Sequence, residues 1–230
     1  LEELEEDYTY DTDEEEYYDT LTVTEQKQID KLEEELIVSD DLVPFRFKIL
    51  ETKIPIKTKT FILKKLDHLN TLDFSDNEYH KLNKWMDHLQ QIPFDEYIYP
   101  KVKIENISPY LSDIKNKLDN SIYGHIDAKI QIIQYIAQKV INKDSKGYTL
   151  ALQGPPGNGK TTLVKKGIAE SLGRPFGFIA LGGSSDCSFL DGWDYTYEGS
   201  QPGRIINILQ NTKCMNPIIY FDELDKISDT

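Results

Sequence analysis

Between Thr24 and Val38 the chain reads TEQKQIDKLEEELIV, with Ile29, Leu32, Leu36 and Ile37 spaced toward one side, which predicts a helix. Leu1–Thr20 has no such pattern. It is rich in Glu, Asp, Tyr and Thr, and disorder is expected there. Asp41–Thr58 contains Pro44 and Pro55 and reads as a linker with extended pieces. Helical patterns follow over Thr60–Leu72 and Asp76–Gln91, with Ser75 and Asp76 offering an N-cap and Pro93 ending the second. Tyr97–Pro109 is a second linker, and Leu111–Leu118 a short helix. Ile126–Ile141 is a longer helix carrying Ile130, Ile133, Ala137 and Ile141.

The pattern changes at Tyr148. Short apolar runs at Tyr148–Gln153, Phe176–Leu181 and Ile218–Phe221 have the length of buried strands. Helical segments separate them, at Thr162–Leu172 with Leu163, Ile168 and Leu172 toward one face, and at Arg204–Leu209. Strand and helix in alternation predict an α/β fold with a parallel sheet. Three parts are expected: an acidic head over residues 1–41, a helical segment with linkers over 42–109, and an α/β unit over 110–230.

The net charge of −14 changes this picture because it is uneven. Residues 1–41 hold 18 acidic residues and two lysines, whereas residues 42–230 hold 22 acidic and 24 basic residues. The part with periodic structure is therefore nearly neutral. It lacks a basic stripe with interleaved aromatics, which argues against nucleic acid as the main partner. Cys187 and Cys214 form no C-x-x-C and read as ordinary thiols of a reducing compartment, and His68, His80, His88 and His125 lack zinc-ligand spacing. No apolar run approaches membrane-spanning length and no signal peptide is evident, so a soluble, intracellular, cytoplasmic protein is expected. The chain opens on Leu1 rather than Met and closes at Thr230 just after an acidic motif, as a fragment of a longer protein would.

Gly154 to Thr161 reads G-P-P-G-N-G-K-T, a phosphate-binding loop between a strand pattern and a helix pattern. Gly154, Gly157 and Gly159 let main-chain N–H groups close around phosphate oxygens, and the helix beginning near Lys160 turns its positive end to the same anion. Pro155 and Pro156 stiffen the approach. Lys160 is the candidate charge on the β/γ-phosphates, and the Thr161 hydroxyl the candidate ligand for Mg²⁺. Asn158 and Thr162 complete the nucleotide-binding positions. Ile218 to Glu223 reads I-I-Y-F-D-E, a buried strand ending in two carboxylates where open α/β sheets bind ligands. Asp222 is the second candidate metal residue. Glu223 would orient or deprotonate an attacking water. A nucleoside triphosphate and Mg²⁺ are the cofactors these residues call for.

The stretch Gln153–Ile227 resembles the ATPase module of the Lon family of AAA+ proteins. The matching segments are G-P-P-G-N-G-K-T at 154–161, S-L-G-R-P-F at 171–176, I-A-L-G-G at 179–183, T-Y-E-G-S-Q-P-G-R-I-I at 196–206 and N-P-I-I-Y-F-D-E-L-D-K-I at 216–227. Leu118–His125 followed by Lys129 is similar to the family segment that lines the adenine pocket, which brings Tyr123 and Gly124 into the cofactor site. Trp85–Phe94 resembles the helix that precedes the module. The resemblance implies a P-loop ATPase of AAA+ fold with strand order 5-1-4-3-2, of which strands one to three would lie here. Sensor, arginine finger, lid and Ser-Lys peptidase would then follow Thr230. It further implies a homo-oligomeric ring, a hexamer by analogy, that threads polypeptides past Tyr197. Three departures bear on that grip. Glu198 stands where the family has an aliphatic residue, Asp191–Tyr195 lacks the usual basic residues, and Phe94 replaces a tryptophan. Alternatives that the residues leave open are a remodeller without peptidase, a nucleic-acid motor and a nucleotide-gated scaffold.

Overall fold

The computed structural model describes residues 12–38, 43–142, 149–182, 188–197 and 199–226. By its contacts the chain divides into two units, Leu1–Lys48 and Ile49–Thr230. In the first, α1 (Thr12–Thr20) and α2 (Val23–Val38) form where composition led us to expect order only in the second. Side-chain bonds supply what apolar burial does not. Tyr18 Oη donates to Asp30 Oδ1 at 2.5 Å, and Gln26 Nε2 to the Tyr18 carbonyl at 2.9 Å. Thr22 and Glu25 make a capping pair at the start of α2, the hydroxyl and N–H of Thr22 both donating to Glu25 Oε2 and holding that carboxyl below its usual range. Residues 1–11 lie outside the described residues.

Both linkers contain helix. Pro44 precedes α3 (Phe45–Glu51) and Pro55 precedes α4 (Ile56–Leu69), their carbonyls accepting the first helical N–H bonds. Proline lacks only a donor that a helix start does not use, so it opens these helices where we expected it to exclude them. The same holds at Pro109, which sits in the first turn of α6 (Ile107–Ser121), a helix that begins earlier than its apolar spacing suggests. A short 3₁₀ turn, Ile104–Asn106, leads into it. α5 covers Asn77–Gln90, with Asp76 at the N-cap position in extended conformation, and α7 covers Ile126–Ile141.

α8 begins at Lys160–Thr162, widens into π-helical turns over Leu163–Ala169, and closes over Glu170–Leu172. Strands β1 (Phe176–Ala180) and β2 (Ile218–Asp222) pair in parallel, Phe176 opposite Ile218 and Ala180 opposite Asp222. α9 (Ser188–Asp191) and α10 (Arg204–Thr212) lie in the crossover. One core joins Ile114 and Leu118 of α6, Ile132, Ile136 and Val140 of α7, and Leu163, Val164, Ile168 and Leu172 of α8. Phe176, Ile218 and Tyr220 of the sheet pack on it, and Ile179 and Ile219 pack on the other side with Ile208 of α10. Helices on both faces of a parallel pair make an α/β core that is incomplete. On α7 the buried series is Lys129, Ile132, Ile136 and Val140; of the isoleucines that periodicity singled out, Ile133 packs half-buried on this core. Ile130 and Ile141 face outward.

Thr149–Gln153 is not a strand. Leu150 and Leu152 pack half-buried on the main core, as an apolar run should, but a strand needs a neighbour to bond, and among the described residues β1 and β2 bond only each other. Between α5 and α6 the chain is strapped to the start of β2. The Ile98 N–H donates to Asn216 Oδ1 at 2.9 Å, Asn216 Nδ2 donates to the Ile98 carbonyl at 3.0 Å, and the Met215 N–H donates to the Glu96 carbonyl at 2.7 Å. Residues 96–98, before the expected boundary at 109/110, are thus bonded to residues 215–216 after it.

Gly177 is where α10 comes closest to the sheet: a Cβ there would lie 2.5 Å from Ile208 Cγ2 and 2.9 Å from Cδ1. Gly177→Ala should lower stability by about 1–3 kcal/mol in urea unfolding. Adding Ile208→Ala should cost less in that background than in the wild type, because the second change opens the space that the first needs. Strictly additive losses would contradict this packing.

Candidate functional site

The glycine loop owes its shape to two left-handed residues, Gly157 (φ +74) and Gly159 (φ +76). At Gly159 space matters as much as angle. A Cβ would come 2.3 Å from Ile122 Cδ1, so the loop and the end of α6 touch at a position without a side chain. α8 then starts at Lys160, with no acidic residue in its first turn to occupy its positive end. Lys160 Nζ donates to the carbonyls of Gly154 and Pro155, at 2.9 Å each, folding the ammonium back over the loop. Thr161 and Thr162 follow, half-buried.

Ile122 is held from behind by a buried cation. Lys129, 6% exposed, donates from Nζ to the Ile122 carbonyl at 2.7 Å and to Asp119 Oδ1 at 2.9 Å. Beyond Ile122 the chain turns through Gly124 (φ +73) and His125 (φ +54) into α7. Tyr123 stands 99% exposed at this turn. The 122–125 segment and the phosphate loop are therefore one connected feature, joined through Ile122 and Gly159. The spacing of α7 does not mark Lys129, and its contact with the Ile122 carbonyl appears only in three dimensions.

The carboxylates sit at the end of β2. Asp222 Oδ1 accepts the Glu223 N–H at 3.1 Å and Tyr220 Oη at 3.3 Å, and its main-chain carbonyl accepts the Leu181 N–H at 3.0 Å. Glu223 has φ +58, a left-handed angle uncommon outside glycine, so its side chain leaves the line of the strand. It rests over Gly182, where a Cβ would be 1.9 Å from Glu223 Oε2, and it accepts a bond from Lys226 Nζ. That bond, with the carboxylate's charge, pushes the Lys226 ammonium above its ordinary range. The sequence pointed to Asp222 and Glu223. It gave no account of Gly182, although the I-A-L-G-G run contains it.

Leu150 and Leu152, shortly before the loop, share a core with Ile218 and Tyr220, shortly before the carboxylates. Hard oxygen donors suit Mg²⁺, and the Thr161 hydroxyl and the Asp222 carboxylate are such donors. Both side-chain bonds to Asp222 fall on Oδ1, which leaves Oδ2 for a cation.

Tyr197 belongs to a separate feature, the 192–203 loop. Gly192 and Pro202 form a bridge at its base, the Trp193 N–H donates to the Gln201 carbonyl at 3.2 Å, and the rings of Trp193 and Tyr197 meet edge to face at 6.2 Å. Thr196 donates to Asp194 Oδ1 from both its N–H and its hydroxyl, holding that exposed carboxyl below its usual range. Glu198 and Cys187 lie outside the described residues. Cys214 is buried against Asn216, and His68 pairs with Glu78 at 3.2 Å. Among the described residues no helix is long and apolar enough to cross a membrane.

Comparison with known proteins finds a family and relatives. Residues 150–230 match the model of the ATPase family associated with various cellular activities (AAA). Lon protease of Clostridioides difficile is 34% identical over 198 residues, which are 86% of this chain and 24% of that protein. Lon protease 1 of Bacillus subtilis is 36% identical over 181 residues, covering 79% of this chain and 22% of that protein. The human mitochondrial Lon protease homolog is 33% identical over 183 residues, 80% and 18% respectively. The chain spans about a quarter or less of these relatives. With the glycine loop at the head of α8, the carboxylate pair closing β2 and this likeness across most of its length, the chain belongs to the Lon-type AAA+ ATPases.

Proposed function

We propose that this chain is the nucleotide-binding and hydrolysing part of an ATP-driven unfoldase, arranged as a homo-oligomeric ring that draws polypeptides past Tyr197 toward a peptidase. The observation that carries this reading is the pairing of two features on one core: a glycine loop heading α8, and two adjacent carboxylates ending β2. A bound Mg²⁺·ATP would supply the phosphoanhydride bond and the cation that offsets its charge. The chain's residues do the rest. N–H groups of the loop and the Lys160 ammonium hold the phosphates, with Lys160 exchanging the Gly154 and Pro155 carbonyls for phosphate oxygens. Thr161 and Asp222 hold the cation, and Tyr123 and Gly124 border the base.

Glu223 takes the proton of the attacking water once its carboxylate leaves Lys226. Its left-handed backbone and the open space over Gly182 aim the side chain away from the strand. The acidic head is proposed as a separate region.

In the full-length protein, Glu223→Gln should keep ATP affinity and lower kcat by at least about a hundredfold, since the amide fills the site but accepts no proton. Lys160→Ala should instead lose nucleotide binding in a filter or fluorescence assay. Equal turnover in wild type and Glu223→Gln would sink the assignment of the base.

Gly182→Ala gives an independent check, because the methyl group displaces Glu223 without removing it. We expect ATP affinity to change little and kcat to fall by roughly tenfold, the scale of a misplaced catalytic group. A Gly182→Ala enzyme with wild-type kcat would mean that the carboxylate does not work from this position.

A further inference from the structure

We propose that α4 and α5 hold the 193–197 loop in its working position, with Lys65 and Lys81 as positioning residues for the polypeptide grip assigned to Tyr197. The inference rests on that reading of the loop.

The contacts come from far away in sequence. Lys65 Nζ, on α4, donates to Tyr195 Oη at 2.6 Å and lies 4.5 Å from the centre of the same ring. Lys81 Nζ, on α5, donates to the Thr196 carbonyl at 3.1 Å. Trp85 of α5 lies 6.0 Å from the Tyr195 ring, and Phe61 of α4 meets Trp85 edge to face at 6.2 Å. The two residues immediately before Tyr197 are thus held by charged donors and an aromatic face.

Elsewhere the loop is tied mainly to itself. Its base is closed by the Gly192–Pro202 bridge and by Gly203, where a Cβ would lie 1.9 Å from the Leu190 carbonyl. Its turn is shaped by the Thr196–Asp194 bonds. These bonds set the shape of the loop, while the bonds from α4 and α5 fix where it stands against the rest of the unit. The charges complement each other. Asp191–Tyr195 carries two acidic residues and no basic one, and the positive charge comes from the two lysines. Tyr197 and Trp193 stay exposed, at 62% and 56%, so the clamp holds Tyr195 and the Thr196 carbonyl and leaves the Tyr197 side chain accessible. A bond between a cation and a phenol or carbonyl is also reversible, so load on the loop would reach α4 and α5 through Lys65 and Lys81.

The test measures ATP turnover of the full-length protein against increasing casein, an unfolded polypeptide, in wild type, Lys65→Met, Lys65→Arg, Tyr195→Phe and Tyr197→Ala. Lys65→Met should keep turnover without casein and raise the casein concentration for half-maximal stimulation roughly tenfold, the size of one lost charged hydrogen bond. Lys65→Arg should recover most of that loss. Tyr195→Phe, which removes a single oxygen, should reproduce part of it and carries the test if Lys65→Met does not fold. Unchanged casein response in both Lys65→Met and Tyr195→Phe, with Tyr197→Ala abolishing stimulation, would overturn the clamp and leave the grip standing. Casein response that survives Tyr197→Ala would overturn the grip, and the clamp with it.

Discussion

A cation in a nearly dry place governs the geometry of this module. Lys129 is buried among the apolar residues of α6 and α7, where an unpaired ammonium would be costly. Its two partners, Asp119 and the Ile122 carbonyl, both lie at the end of α6, so satisfying the charge fixes how that helix ends. Ile122 is then delivered against Gly159, and the loop can accept it only because Gly159 has no side chain. Asp119 is half-exposed, so the pair contributes little net stability, but removing that carboxylate would leave the buried ammonium with the Ile122 carbonyl alone. What it secures is the position of the phosphate loop relative to the 122–125 turn.

The second constraint is the parallel pair. β1 and β2 lie between the α6–α7–α8 core and α10, and close packing at Gly177 sets the distance of α10 from the sheet. Chain leaving the C-terminal end of such a sheet is free of ladder bonds, and there Glu223 adopts its left-handed conformation. The crossover between the strands carries the aromatic loop. α4 and α5 touch that loop, and Gln210 of α10 donates to the His88 carbonyl of α5 at 2.7 Å. Strand ends, crossover and helix pair therefore belong to one body, and a displacement of any of them bears on its neighbours.

Much of this was legible in sequence where local chemistry dominates. The glycine loop, the D-E pair, the extents of α5 and α7 and the two paired strands follow from residue types and spacing. The failures have separable causes. Pro44, Pro55 and Pro109 read as breakers, although each stands at or before a helix start. α1 is held by side-chain hydrogen bonds that no hydrophobic count registers. On α7 the outward isoleucines masked a buried series that includes a lysine, which no apolar template would place in a core. Thr149–Gln153 has the composition of a strand but not the partner. Gly182, Lys65 and Lys81 depend on residues more than 40 positions away, beyond the reach of any local reading.

The central claim is that the loop, Lys160 and the carboxylates of β2 form one phosphate site. It is tested most directly by an experimental structure of the full-length protein with Mg²⁺ and a non-hydrolysable ATP analogue. The account predicts the β- and γ-phosphates inside the 154–161 loop, with Lys160 Nζ moved from the Gly154 and Pro155 carbonyls onto phosphate oxygens. It also predicts Asp222 beside the cation and Glu223 released from Lys226 toward the γ-phosphate. A nucleotide bound elsewhere, or Lys160 and Glu223 still engaged with their present partners while the analogue is in place, would contradict it.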